Sequence, residues 1–259
     1  MKSSILKVSL LPVIAFVLLA AAACGGGSDD KSQPTAFPTI NLQRPTVSAG
    51  SGQVIISGPT PNPSSVPTAV ATASKTLSPR TGDFATLCQK SNEKQFTAPQ
   101  TVIDPSKKYT ATIQTEKGNI VVELAPDVAP VAVNNFVFLS CKGYYDGVTF
   151  HRVLAGFVAQ GGDPTGTGRG GPGYTIPDEF NSHTFDTGTL GMATGGPNSA
   201  GSQFFICLAP QPNLNGKYTV FGEVTSGMDV VNKITLRDPQ ANPTPPPGDK
   251  IVTITVQEH

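Results

Sequence analysis

The sequence predicts a mainly β domain, a closed eight-stranded antiparallel β-barrel capped by two α-helices. Three observations predict it. From about Tyr109 onward, eight short apolar runs alternate with clusters of Gly, Asn, Asp and Pro, the pattern of strands joined by turns. Two segments interrupt that pattern with helical spacing. Eight antiparallel strands invite closure, and a closed barrel leaves open ends that helices can cover.

The chain has 259 residues, enough for one large domain or two small ones, and 18 basic against 18 acidic side chains give a formal charge of zero. No basic field points to nucleic acid as a partner. The first stretch carries Lys2 and Lys7, then an apolar run from Val8 to Ala23 broken by Ser9 and Pro12. Residues 1–23 therefore read as a secretory signal. Cys24 follows the alanines Ala20 to Ala23 and precedes Gly25, Gly26, Gly27 and Ser28, so the segment resembles a bacterial lipoprotein signal in which Cys24 becomes the lipidated first residue. The resemblance is incomplete, because Ala21 stands where such signals usually have Leu; Leu18 and Leu19 lie close by. Ordinary cleavage after an alanine and retention as an uncleaved anchor are the alternatives, the run being short for a spanning helix. All three readings place the remainder outside the cytoplasm, lipid-anchored to the membrane on the first of them.

Residues 24–103 form a Pro/Thr/Ser/Gly-rich tether and pre-domain segment. Up to about Arg80 the apolar residues are single and aperiodic, so no core is expected. Pro34, Pro38, Pro45, Pro59, Pro61, Pro63 and Pro67 favour an extended, disordered chain. Gln53 to Ile56 is the one strand-like run, and it is read as tether. Of four cysteines, three remain beyond Cys24, in a compartment where disulfides persist. Cys207 lies within FFIC and reads as a buried small hydrophobe. That leaves Cys88 and Cys141 as a candidate disulfide between the pre-domain segment and the first helix of the domain.

The domain proper spans residues 104–259. Tyr109 to Thr115 and Asn119 to Leu124 flank a Lys117-Gly118 turn and read as a hairpin. Further strands are expected near Phe150 to Leu154, Phe157 to Gly161, Gly188 to Ala193, Gln203 to Leu208, Tyr218 to Glu223 and Ile251 to Val256. From about Val128 to Cys141, Val133, Phe136, Val137 and Ser140 share one helical face, and Pro130 sits in the first turn, where its missing N–H costs little. A second helix is expected around Met228 to Leu236, with Val230, Val231 and Ile234 as its apolar set.

Arg152, Gln160 and Gln203 are long polar side chains in stretches that otherwise read as buried strands. They lie in two segments, FHRVLAGFVAQGGD and MATGGPNSAGSQFFI. Together with NNFVFL, YYDGVTFHRV and NLNGKYTVFGEV, these occur in the order found in cyclophilins, and the stretch from Tyr109 to the C-terminus resembles a complete cyclophilin domain. The resemblance implies a peptidyl-prolyl cis-trans isomerase that needs no cofactor and binds proline-containing peptide segments.

An X-Pro bond isomerises slowly because rotation breaks amide resonance, a barrier of roughly 18–20 kcal/mol. No bond is made or cut, so the enzyme needs only to bind the twisted state better than either planar form. The pyramidal prolyl nitrogen of that state recovers a lone pair, and a fixed cationic donor aimed at it lowers the barrier. Arg152 occupies the family's catalytic arginine position, and its guanidinium is always charged. A barrel-surface arginine in a salt bridge is the plainer alternative.

The resemblance further assigns Gln160 and Gln203 to the peptide backbone and to orienting the arginine, since an amide both donates and accepts; local backbone bonding is the alternative. It assigns Phe157, Val158, Phe205 and Leu214 to the proline pocket, where residue type alone would suggest core. Ala193, Thr194 and Gly195 align with the edge that pairs with substrate backbone. Tyr218 stands at a histidine position and still offers a ring and a hydroxyl. Gly166 aligns with a pocket-lining glycine. Val158 replaces the usual methionine, and Thr194 and Gly195 depart from Ala-Asn-Ala. Asn213 stands where many eukaryotic members have a tryptophan that contacts cyclosporin, which implies weak inhibition by that drug.

Other signals are set aside. Gly166, Gly168 and Gly171 have dinucleotide-fold spacing, but Pro172 and Gly173 follow and forbid the required helix. His151, Asp163 and Ser202 are triad residue types without a nucleophile elbow. Three histidines, two of them in loop and tail, give no metal site. The functional expectation is an exported, monomeric isomerase that assists protein folding; a non-catalytic proline-peptide-binding module or holdase on the same fold is the alternative.

Overall fold

The computed structural model describes residues 77–259. The signal segment, Cys24, the tether up to residue 76 and the Gln53–Ile56 run lie outside the described residues. Within them, eight strands form one antiparallel sheet: β1 Tyr109–Thr115, β2 Gly118–Leu124, β3 Arg152–Val153, β4 Val158–Gly161, β5 Thr189–Met192, β6 Phe204–Cys207, β7 Val220–Ser226 and β8 Ile251–Glu258. The order across the sheet is β3-β4-β6-β5-β7-β2-β1-β8. The β1–β2 hairpin pairs Thr115 with Gly118 around a two-residue turn, and most other expected strands shift by only a residue or two.

The expected closed barrel is corrected to an open sheet. No ladder joins β3 to β8; an isolated bridge pairs Thr149 with Lys250 just before the two strands, and another pairs Val153 of β3 with Arg237 in the segment that precedes β8. Backbone bonds from Phe150 N–H to the Asp249 carbonyl (2.9 Å) and from Ile251 N–H to the Val148 carbonyl (2.8 Å) complete the contact. The reason lies in the segment that flanks β3. Pro239, Pro243, Pro245, Pro246 and Pro247 have no N–H to give a ladder. The expected five-residue strand at Phe150 to Leu154 therefore shrinks to Arg152–Val153.

The helices also differ from expectation. The described residues hold α1 Phe84–Leu87, α2 Pro130–Cys141 and α3 Met228–Val231, and only α2 exceeds one turn. The second expected helix stops early because Thr235 N–H donates to the Asp249 carboxylate (2.6 Å) and Arg237 pairs with Val153, which draws the chain into extended form. In α2, every residue from Val131 to Cys141 is buried, not one face alone. Its inner side carries Phe136, which meets Tyr145, Phe204 and Phe221 at 5.4 Å between ring centroids. Its outer side is covered by residues 77–103, a strap. Asn134 Oδ1 accepts from Val102 N–H (2.8 Å), Phe138 packs edge-on against Phe96, and Cys141 is disulfide-bonded to Cys88 with the Cα atoms 4.5 Å apart.

Ala129 offers no side-chain cap to α2. Glu179, distant in sequence, supplies one: its carboxylate accepts from the N–H groups of Val131 (3.1 Å) and Ala132 (2.8 Å), where the helix dipole favours negative charge. The strap's first residues are tied to the last strand by an ion pair of Arg80 with Glu258, whose carboxylate also accepts from Tyr109 Oη (2.6 Å).

Candidate active face

Alternation along β6 separates two apolar clusters. Phe204 and Ile206 point into the main core beneath α2, whereas Phe205 and Cys207 point out. The outward pair joins Val158, Phe185, Leu214 and Val220 in a second cluster, against which Phe157, Ala193 and Tyr218 pack half-buried. The expected pocket residues Phe157, Val158, Phe205, Leu214 and Tyr218 are therefore brought together. Phe185, Cys207 and Val220 belong to the same cluster but were absent from the expected pocket. The two-residue period of FFIC was the signal that Cys207 shares the face of Phe205.

Cross-strand register aligns the polar residues with this cluster. Arg152 on β3 pairs with Gln160 on β4, Gln160 with Phe205 on β6, and Phe205 with Gly191 on β5. Directly paired residues share one face of a sheet, so the four form a single row on its outer side. Gly191 leaves room for the row to exist: a Cβ there would sit 2.4 Å from Phe205 Cζ and 2.6 Å from Phe185 Cε1. The Phe205 ring stacks on Phe185 at 5.5 Å and meets Tyr218 edge-on at 5.8 Å.

The Arg152 guanidinium lies over the Phe157 ring, 5.5 Å from its centroid, and Arg152 Nε is buried without a protein hydrogen bond. It makes no salt bridge among the described residues. Gln160 Nε2 donates to Gln203 Oε1 (3.0 Å), and Gln203 Nε2 donates to the carbonyls of Gly168 and Gly170 (3.0 Å each). The glutamines hold each other, and Gln160 makes no hydrogen bond to Arg152.

The loop that bears those carbonyls is organised by Asp163, which is fully buried. Its carboxylate accepts from Thr165 N–H (2.7 Å), Thr165 Oγ1 (2.8 Å) and Gly168 N–H (2.5 Å). Burial alone would raise its pKa, but these bonds and the Gly170 N–H outweigh burial and hold it below the ordinary value. Gly166 lies in the turn after Asp163 and faces Thr149. The loop's role was not foreseen, because main-chain carbonyls leave no mark in side-chain identity.

At the far edge of the face, Ala193 N–H donates to the Gln203 carbonyl (2.9 Å) and Gly195 N–H to Ser199 Oγ (3.1 Å). The main-chain N–H and carbonyl of Thr194 between them bond to no described residue. Asn213, in the short 3₁₀ turn Pro212–Leu214, is exposed.

The hydrolytic triad is not assembled. Ser202 Oγ donates to the Gly162 carbonyl (2.7 Å) and lies 3.0 Å from Tyr144 Oη, while Asp163 is committed to its loop. His151 is buried, neither ring nitrogen has a hydrogen-bond partner of ordinary geometry, and burial depresses its pKa. Burial also pushes the Cys207 thiol up to about 12, consistent with an inert packing residue.

Comparison with known proteins matches this architecture. A sequence model of the family described as cyclophilin type peptidyl-prolyl cis-trans isomerase/CLD matches residues 110–256. The chain is 55% identical over 126 residues to peptidyl-prolyl cis-trans isomerase B of Bacillus subtilis, covering 48% of this chain and 88% of that protein. It is 47% identical over 146 residues to a peptidyl-prolyl cis-trans isomerase of Synechococcus elongatus, covering 56% and 94%. A Cryptosporidium parvum cyclophilin type peptidyl-prolyl cis-trans isomerase, crystallised in the presence of the dipeptide Ala-Pro, is similar with a TM-score of 0.54 and 37% identity, covering 57% of this chain and 98% of that one.

Proposed function

The chain belongs to the cyclophilin family and is a peptidyl-prolyl cis-trans isomerase, and we propose that its chemistry is carried by the outer row that starts at Arg152. A proline side chain enters the cluster of Phe157, Val158, Phe205, Leu214 and Tyr218. Thr194 pairs through its main chain with the peptide flanking the proline, between Ala193 and Gly195. Gln160 and Gln203 meet the peptide backbone, and Gly166 closes the loop side. The Arg152 guanidinium, held over Phe157 with an unengaged Nε–H, donates to the prolyl nitrogen as its lone pair appears. That charge is present before the bond twists, so no reorganisation is needed at the transition state.

The observation that carries the reading is the register Arg152–Gln160–Phe205, which sets the donor two strands from the ring that receives proline. Arg152→Ala is expected to lower kcat/KM by about 10²–10³-fold, the cost of one preorganised donor, with the melting temperature near wild type. A proline-peptide isomerisation assay on both proteins decides it; near-normal turnover in the variant overturns the role. With Asn213 exposed at the rim, inhibition by cyclosporin is expected to be weak, and nanomolar inhibition in the same assay would contradict it.

The setting is also proposed. Residues 1–23 act as a lipoprotein-type signal, Cys24 carries the lipid, and residues 24–103, the last of them fastened to the domain as the strap, link the membrane to a monomeric domain 104–259 that assists folding of exported proteins. Support comes from the Lys2/Lys7 flank, the apolar run and Cys24 itself. The disulfide fits an oxidising compartment. Metabolic labelling with a radiolabelled fatty acid should mark wild type and not Cys24→Ala; labelling of both would exclude Cys24 as the acceptor.

A further inference from the structure

We propose that the strap of residues 77–103 is a positioning element of the active face, acting on Gln203 through the 163–173 loop; this rests on the reading of Gln203 as a substrate contact. The strap lies outside residues 110–256, the part shared with the family. Several fastenings fix its course. Cys88 is bonded to Cys141, the N–H groups of Ser91 and Asn92 donate to the Lys142 carbonyl (3.2 and 2.8 Å), and the Lys94 ammonium donates to the carbonyls of Gly143, Tyr144 and Asp146. The Phe96 ring meets Phe138 edge-on at 5.1 Å.

At that point the strap grips the loop. Phe96 N–H donates to the Pro172 carbonyl (2.7 Å), and Gln95 Nε2 donates to the Gly171 carbonyl (3.0 Å). The approach is tight: at Gly173, where φ is +97°, a Cβ would lie 2.7 Å from the Phe96 carbonyl oxygen and 2.9 Å from Gln95 Oε1. The carbonyl of the residue before Gly171, Gly170, is one of the two that hold Gln203. Two glutamines from different parts of the chain thus hold consecutive peptide units, Gln203 from the active face and Gln95 from the strap.

Glycines at 166, 168, 170 and 171 give the loop little stiffness of its own. Asp163 holds it as far as the Gly170 N–H, and the strap fixes it from the Gly171 carbonyl onward. Released at that end, the Gly170 carbonyl no longer defines one direction for the Gln203 amide, and the Gln160–Gln203 bond passes the looseness to Gln160. The strap therefore contributes preorganisation of the peptide site.

The test measures KM and kcat for an Ala-Pro-containing peptide, with melting temperature, on the full chain and on Gln95→Glu, Gln95→Ala, Arg80→Ala and Gln203→Ala. Glutamate keeps the size of Gln95 but has no donor for the Gly171 carbonyl. Both Gln95 variants are expected to raise KM about threefold, within the range for one lost hydrogen bond, with kcat changed less. Arg80→Ala, which loosens the strap far from the loop, is expected to lower melting temperature and leave KM unchanged. Wild-type KM in the Gln95 variants, or an equal KM rise in Arg80→Ala, overturns the proposal. An unchanged KM in Gln203→Ala overturns the substrate reading of that residue and the proposal with it, whereas failure of the Gln95 variants alone leaves that reading standing.

Discussion

The main core and the outer cluster use the same kinds of side chain for different ends. Phe204 and Phe205 are neighbours on one strand, and both are at least 95% buried. Phe204 is locked among Phe136, Tyr145 and Phe150, beneath a helix that the strap seals. Phe205 lies in a shallower group bordered by the half-buried Phe157, Ala193 and Tyr218 and by the row that leads to Arg152. Burial does not separate the two roles; what separates them is which face of β6 each occupies and whether polar donors stand at its border. Apolar area in the core stabilises the fold, while apolar area beside a free guanidinium is available to a ligand.

The largest test of that contrast is a pair of truncations. Phe204→Ala is expected to cost about 3–5 kcal/mol in denaturant unfolding, as core phenylalanines do. Phe205→Ala should cost clearly less stability yet raise the peptide KM by about tenfold or more, through lost apolar contact in the pocket. Equal stability losses with unchanged KM would erase the distinction.

A subtler substitution acts on the outer cluster alone. Gly191→Ala places a methyl where Phe205 and Phe185 already stand. Displacing the rings is expected to cost about 1–3 kcal/mol, the range for overpacking, with a several-fold fall in kcat/KM. Wild-type kinetics would mean that the Phe205 ring position is not needed.

The smallest expected effect concerns His151, the residue just before β3, whose buried ring faces Gly168 of the loop. Burial depresses its pKa below 6.5, Asp163 pulls it up, and Arg237 and Arg152 push it down again. The unfolded chain therefore binds this proton more readily than the folded one. The folded state has its full stability above about pH 6.5 and loses part of it as pH falls below that value. Asp163, also depressed, adds a further loss at lower pH, below its ordinary carboxylate value. Melting curves of wild type and His151→Asn should differ in the slope of melting temperature between about pH 6.5 and 5, shallower in the variant; parallel slopes would assign the acid sensitivity elsewhere.

Much of this was legible in the sequence because period and residue type are local properties. Hairpin and sheet strands follow from alternation, and Arg152, Gln160 and Gln203 stand out as polar residues in apolar runs; the place of Phe205 beside them came from the family resemblance, and their alignment in one row from the register. Four things were not. Closure failed because a proline-rich segment meets β3 where a strand was needed. For helix α2 the sequence marked one apolar face only, but residues distant in sequence bury the rest as well, and nothing within α2 announces them. Phe185 joins the outer cluster from a segment before β5, and the Gly168 and Gly170 carbonyls that hold Gln203 belong to residues without side chains. Each omission involves a partner supplied by long-range topology.

The Cys88–Cys141 bond has one more consequence. Whatever pulls on the chain from the N-terminal side reaches Arg80 first, where it meets an ion pair, and then Cys88, where it meets a covalent link to α2. Beyond that link the load divides, and Gln95, which holds the loop behind the active face, lies on the sheltered branch. Tension arriving from that side is borne by α2 before it reaches the loop behind the active face.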